Sequence, residues 1–267
     1  GLDDSAAASR READSCAIIG VDDCVAYRSG TAFIGGSDFM NTIVILGGGF
    51  AGLAAAAALN GRIPHGRVHL VDPRDAQQFL PLLPDVVGRG IHAEHLRYPY
   101  AKARARWGFE FTQDTVSEVD LEEQVVRTEK TQLPYDQLLI ATGARTTFYD
   151  HDEFREHALT LDHTADAEAI QSAIEDESYD AYVVCGGSYT GVEISTAIGR
   201  ALRQRDRQRR ILLLDLAPTL CSRLPEPFRD YVAENVKRMS IETRLETTVA
   251  ETGPRTVTLT DGETISN

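Results

Sequence analysis

The stretch Ile43-Val44-Ile45-Leu46-Gly47-Gly48-Gly49-Phe50-Ala51-Gly52-Leu53 decides how this chain folds. A run of apolar, mostly β-branched residues reads as a strand of a parallel sheet covered on both faces, because a half-exposed strand would alternate. The glycines end the strand, and the alanine-rich segment Leu53 to Leu59 reads as a helix stopped near Gly61 and Pro64. Gly47, Gly49 and Gly52 fall on the spacing G-x-G-x-x-G. The logic of that spacing is steric. Gly47 permits the tight turn, Gly49 lets a pyrophosphate approach the backbone, and Gly52 lets helix and sheet pack closely. The N–H groups at the helix start are then left for an anion. Alone, such a loop is a weak signal. Here Arg67 to Asp72 reads as the next strand, and Asp72 closes it 20 residues after Gly52. A carboxylate there can accept hydrogen bonds from both hydroxyls of a ribose.

Working outward, the same grammar returns. Ala181 to Val184 reads as a strand, Gly186-Gly187-Ser188-Tyr189-Thr190-Gly191 as a loop, Val192 to Leu202 as a helix and Ile211 to Asp215 as a strand. Gly186 lies 139 residues after Gly47, a repeat of domain size rather than a solenoid period. Ser188 stands at the middle glycine position, where its hydroxyl either bonds a phosphate oxygen or pushes the nucleotide outward. Asp215 suits a free 2′-hydroxyl and repels a 2′-phosphate, which favours NADH over NADPH. The basic run Arg203, Arg205, Arg207, Arg209 and Arg210 precedes that strand, at a helix C-terminus where cations are favourable anyway. Other expected elements are a helix from His95 to Trp107 restricted by Pro99, strands Phe109 to Val119 and Gln124 to Thr128 joined by a turn, strand Leu138 to Ile140, helix Ala165 to Ile174 and strand Thr256 to Thr260.

Composition narrows the classes. With 41 acidic and 27 basic side chains the formal charge is -14, a field that repels nucleic acid but leaves room for a nucleotide held by backbone amides. The cysteines, Cys16, Cys24, Cys185 and Cys221, form neither a redox pair nor a zinc spacing. His92 and His95 are three apart without further ligands, so no metal is expected. No stretch approaches the ~20 apolar residues of a membrane span, and no signal region opens the chain. A cytoplasmic protein is expected, at most peripheral on the cytoplasmic face of the membrane. Residues 1–39 show no sustained period, and Met40 stands directly before the first strand, so the leader is expected to be a disordered arm or a mis-called start.

The stretches IVILGGGFAGL, VHLVD, YDQLLIATGA and VVCGGSYTGVE resemble the two-dinucleotide-binding-domain flavoproteins, the pyridine nucleotide-disulfide oxidoreductase superfamily. Within it, FLPLLPDVVGRG, HLRYP and LDLAPTLCSRLPEPFRDYVAENVKR look most like type II NADH dehydrogenases, the single-subunit NADH:quinone oxidoreductases. The resemblance implies an α/β fold of two Rossmann-like units with parallel sheets, residues 40–150 for FAD and 151–267 for NADH. It assigns Gly47, Gly49, Phe50, Ala51 and Gly52 to the FAD pyrophosphate, Asp72 to its ribose and Val116 to the adenine. Ala141, Thr142 and Gly143 form the ATG motif beside the flavin. Gly186, Ser188, Tyr189, Thr190, Gly191 and Asp215 fall to NADH, and Glu193 to the nicotinamide–flavin contact. An acid early in a helix also stabilises the dipole with no redox role.

The reaction so implied is hydride transfer from NADH to FAD and on to an acceptor, with the protein positioning the cofactors. Gln77 to Gly90, where disulfide reductases of this resemblance carry a cysteine pair, contains no cysteine, which favours a quinone or other small electron acceptor. The resemblance also implies a second flavin motif and a membrane-touching region beyond Asn267, so residues 1–267 alone are expected to bind FAD weakly or not at all. A homodimer, a soluble ferredoxin or protein-acceptor reductase, and a non-catalytic NADH-binding sensor all stay open on sequence alone.

Overall fold

The computed structural model describes residues 25–27, 41–59, 61–63, 66–149 and 151–266. Met40, Cys16, Cys24 and most of the leader lie outside the described residues. The chain forms two compact units, one of residues up to Gln77 together with Tyr98–Ala144, the other of Gln78–Arg97 together with Arg145–Asn267.

In the first unit, β1 (Val25–Tyr27), β2 (Thr42–Leu46) and β3 (Arg67–Asp72) belong to one sheet. A short ribbon of β4 (Ala76–Gln78) and β5 (Arg97–Pro99) lies where the chain leaves this unit and returns. Strand β6 (Glu110–Gln113) follows, then a three-stranded sheet of β7 (Val116–Asp120), β8 (Val125–Thr128) and β9 (Gln132–Pro134), and then β10 (Gln137–Ile140). The main sheet has the order β1-β10-β2-β3-β6. Strands β10, β2, β3 and β6 run parallel, with Ile45 opposite both Leu139 and Leu70. β1 adds antiparallel to β10. No period in the leader announces β1; an edge strand is held by main-chain hydrogen bonds, which leave little trace in sequence.

Strand β2 divides its side chains between two faces, as a strand must. Ile43 and Ile45 pack with Leu53 and Ala56 of α1 (Phe50–Leu59) and with Tyr100 and Ala103 of α3 (Tyr100–Trp107). Val44 and Leu46 face Val126 of the small antiparallel sheet and Tyr135, which follows its last strand. Both faces are therefore dry, and each fully buried Ile, Val or Leu contributes about 1.5–3 kcal/mol.

The second unit repeats this plan. Strands β11 (Ala181–Cys185), β12 (Arg210–Asp215) and β13 (Glu242–Leu245) form a parallel sheet. Ile211 and Leu213 pack among α2 (Leu83–Arg89), α4 (Thr164–Glu175), α5 (Tyr189–Gln204) and Val236 of α6 (Glu226–Arg238). Leu212 and Leu214 face an antiparallel sheet of β14 (Val249–Gly253), β15 (Thr256–Leu259) and β16 (Thr264–Ser266).

Three expectations are corrected. The single boundary at 150 and 151 fails because Leu83, Val86, Val87 and Leu96 bury their side chains among Ile170, Ile194 and Ala197 of the second unit. The helix from His95 begins only at Tyr100, because Pro99 excludes the helical conformation from Tyr98, which lies in β5 instead. The strand Phe109 to Val119 breaks at Asp114, a buried acid. Asp114 accepts the Thr128 hydroxyl at 2.6 Å and the Lys130 N–H at 3.0 Å, which turns the chain from one sheet into the other.

Candidate functional site

Each unit carries a glycine loop at the strand-to-helix junction, and the two loops are pinned alike. Gly47 N–H donates to the Val71 carbonyl at 2.8 Å, and Gly186 N–H to the Leu214 carbonyl at 2.8 Å. Gly48 N–H donates to Asp72 Oδ2 at 2.7 Å, and Gly187 N–H to Asp215 Oδ2 at 2.5 Å. Gly47 and Gly186 have φ of +93° and +102°, a region that side chains strongly disfavour. A methyl at Gly52 would collide with the Gly47 carbonyl oxygen, and one at Gly191 with the Gly186 carbonyl oxygen. The sequence roles of the outer glycines are thus visible as contacts.

The middle positions differ from these. A methyl at Gly49 would meet nothing within 4 Å, so the space above its backbone is open. This is the fit that a pyrophosphate requires, with the start of α1 directly behind. In the second unit Ser188 is the N-cap of α5, and its exposed hydroxyl makes no capping bond. The hydroxyl faces solvent. Tyr189 and Thr190 are also exposed.

Asp72 does more than close a strand. It is 1% exposed. Its Oδ1 accepts Arg74 N–H and Arg74 Nε at 2.9 Å each, while Oδ2 accepts Gly48 N–H and, at 2.8 Å, an Arg74 terminal nitrogen. A carboxylate has about four lone-pair directions, and all are used. Burial alone would raise the Asp72 carboxyl; the Arg74 side chain and the two backbone N–H groups outweigh it and hold the group below the usual carboxylate range. A ribose hydroxyl would reach this carboxylate only in exchange for Arg74. Asp215 has no arginine partner of this kind among the described residues. It accepts Gly187 N–H and, at 2.6 Å, Ala217 N–H, and it is only partly buried.

The ATG motif meets the first loop directly. Ala141 N–H donates to the Leu46 carbonyl at 2.8 Å, and a side chain on Gly47 would run into the Ala141 carbonyl and Thr142 Cα. Gly143 has φ +75°. Val116 turns its side chain into the core beside Val44 and Val71, two residues beyond Asp114, whose N–H reaches the Asp72 carbonyl at 3.2 Å. That leaves backbone rather than side chain for any adenine contact.

Glu193 is the fifth residue of α5, because the helix begins at Tyr189 rather than Val192. Dipole stabilisation fades beyond the first turn, so that explanation of the acid weakens. Burial raises the Glu193 carboxyl, and Asp85 on α2 adds to the rise, against a hydrogen bond from Tyr189. The two acids come together because α2 and α5 cross closely at Gly88 and Ala197, where a methyl on Gly88 would press on the Ala197 backbone. Three contributors carry no sequence signal that the glycine pattern supplies. These are Arg74, Tyr100 and Cys221, all of which hold a loop or its acid.

Two Rossmann-like units in one chain, each with a pinned glycine loop at a strand-to-helix junction, define a class of dinucleotide-binding architecture. The chain belongs to the pyridine nucleotide-disulphide oxidoreductase family, whose pattern it matches over residues 41–266. It is 29% identical over 238 residues to demethylphylloquinone reductase NdbB of Synechocystis, covering 84% of this chain and 58% of that protein. It is 26% identical over 246 residues to the type II NADH:quinone oxidoreductase NdhA of Mycobacterium tuberculosis, covering 81% and 52%. The chain spans about half the length of these relatives. Its fold is similar to that of NDH2 from Plasmodium falciparum solved with NADH, at a TM-score of 0.77 and 18% identity, covering 85% of this chain and 53% of that one.

Proposed function

We propose that the loop Gly47–Gly52 holds the diphosphate of FAD and the loop Gly186–Gly191 that of NADH, in an NADH dehydrogenase that delivers electrons to a quinone. The observation that carries this reading is the cradle built twice, with the second glycine of each loop tied to the acid of the next strand at 2.7 and 2.5 Å. Bound FAD supplies a two-electron acceptor for the hydride of NADH, and the organic chemistry is its own. The chain supplies position. Gly49 leaves room for phosphate oxygens, the starts of α1 and α5 present N–H groups, and the Ser188 hydroxyl adds a donor. Thr142 and Gly143 follow the strand that packs on the first loop. Asp215 accepts from the NADH ribose and disfavours a 2′-phosphate. Glu193, with its carboxyl raised by burial and by Asp85, holds a proton on a carboxylate oxygen more readily than an exposed acid does.

The quinone assignment is supported by the two relatives named above, both of which act on quinones by name, and by the absence of cysteine from Gln77 to Gly90. Among the described residues no helix is long and apolar enough to cross a membrane. The test is direct. Titration with FAD and with NADH should give two independent saturable sites, and NADH oxidation should rise on adding a water-soluble quinone. Binding of both nucleotides without turnover would instead support a sensor, and binding of neither would end the reading.

A further inference from the structure

The two loops are pinned at the same peptide by unlike donors. The carbonyl of Gly187 accepts the main-chain N–H of Cys221 at 2.8 Å. The carbonyl of Gly48 accepts instead a side chain, the hydroxyl of Tyr100, at 2.9 Å. Tyr100 is the first residue of α3 and is fully buried. Its ring lies 4.8 Å from that of Phe111, and its N–H donates to the Asp75 carbonyl at 2.9 Å. The Asp72 carboxylate, which takes the Gly48 N–H, lies beside the same hydroxyl. The phenol therefore enters the layer under the loop and occupies the volume of the missing Gly48 side chain, since a methyl there would collide with the Tyr100 ring end.

A trans peptide points its C=O and its N–H in opposite directions. The bond that draws the Gly48 carbonyl inward thus turns the Gly49 N–H outward, over the open space of the cradle. We infer that Tyr100 is a positioning residue for the first nucleotide, aiming the Gly49 amide at a diphosphate oxygen through its hold on Gly48. This rests on the assignment of the first loop to FAD. It also explains why the position between the two motif glycines, which the spacing leaves free, is itself glycine.

The second loop provides an internal control, because its clamp contains no phenol. The experiment compares the full chain with Tyr100→Phe, which keeps the ring and removes only the hydroxyl. FAD is titrated by flavin fluorescence and NADH by nicotinamide fluorescence. The variant should weaken FAD about 3- to 10-fold, the effect of one lost hydrogen bond, and leave NADH unchanged within about twofold. Equal weakening of both ligands, or an unchanged FAD affinity, would overturn the inference. A second measurement needs no ligand. In glycine-15N-labelled protein the Gly49 amide resonance should move in Tyr100→Phe while those of Gly186 and Gly187 stay. An unmoved Gly49 would overturn the inference even if FAD proved not to bind. Weak or absent FAD binding by the unaltered chain bears on the first-loop assignment alone and leaves the Gly49 amide to decide the inference.

Discussion

Replacing Asp72 by asparagine keeps the size of the side chain and removes its charge, and the structure says how much should follow. The carboxylate is 1% exposed and takes two bonds from the Arg74 guanidinium and two from main-chain N–H groups. Breaking a buried pair by removing one partner costs about 3–5 kcal/mol. The Arg74 side chain is 31% exposed and can recover some hydration, which places Asp72→Asn at the lower end, near 3 kcal/mol. Asp215→Asn is the matched comparison, since Asp215 takes two main-chain N–H groups and no arginine. Its loss should be near 1 kcal/mol. The single tryptophan, Trp107, lies in α3 of the first unit, so its fluorescence follows that unit during urea unfolding. Asp72→Asn should move the Trp107 transition strongly and Asp215→Asn hardly at all. The sign with pH is also fixed. A carboxyl held below its unfolded value of ~3.9 contributes fully above that value, and the contribution is lost as pH falls through the lower folded value. The gap between Asp72→Asn and the parent should therefore close only in acid. A Trp107 midpoint that shifts no more for Asp72→Asn than for Asp215→Asn would refute this reasoning.

Gly49→Ala should leave thermal stability within about 1 kcal/mol, because the added methyl meets open space, yet lower FAD affinity at least tenfold. Gly52→Ala should instead lower the melting temperature of the first unit, since its methyl meets the Gly47 carbonyl oxygen; a calorimetric scan of both variants separates the cases. Asp215→Ser should narrow the preference for NADH over NADPH, read from the two dissociation constants, and an unchanged ratio would remove Asp215 from the specificity argument. Glu193→Gln should help the fold as pH rises: a carboxyl raised by burial and by Asp85 stabilises below its unfolded value and loses that contribution as pH climbs through the folded one. Melting temperatures at pH 4 and pH 8 would show it, and a variant less stable than the parent at pH 8 counts against the reading.

The parallel strands were legible because burial on both faces writes itself as unbroken apolar runs, as in Ile43 to Leu46 and Ile211 to Leu214. The glycine loops were legible because contacts such as that of Gly52 with the Gly47 carbonyl admit no other residue. What sequence could not show is what lies beneath those loops. Tyr100 stands 52 residues from Gly48, and Cys221 closes the second loop with a main-chain group that every residue except proline possesses. Arg74 is two residues from Asp72 and was within reach, but the ribose role expected of the acid gave no reason to seek a cation beside it. The membership of residues 78–97 in the second unit was hidden too, because Leu83, Val86 and Val87 declare only that they are apolar, not which helix they meet.

The unequal donors at Gly48 and Gly187 have a consequence for how freely the two halves can drift. Cys221 has φ +49°, so substitution there is limited by backbone shape, yet the N–H it offers survives exchange of its thiol. The first half has no such insurance. A single nucleotide change that swaps the phenol of Tyr100 for the ring of phenylalanine would preserve the packing and release the Gly48 carbonyl, a lesion that leaves the protein folded and abundant while the first loop loses its side-chain anchor.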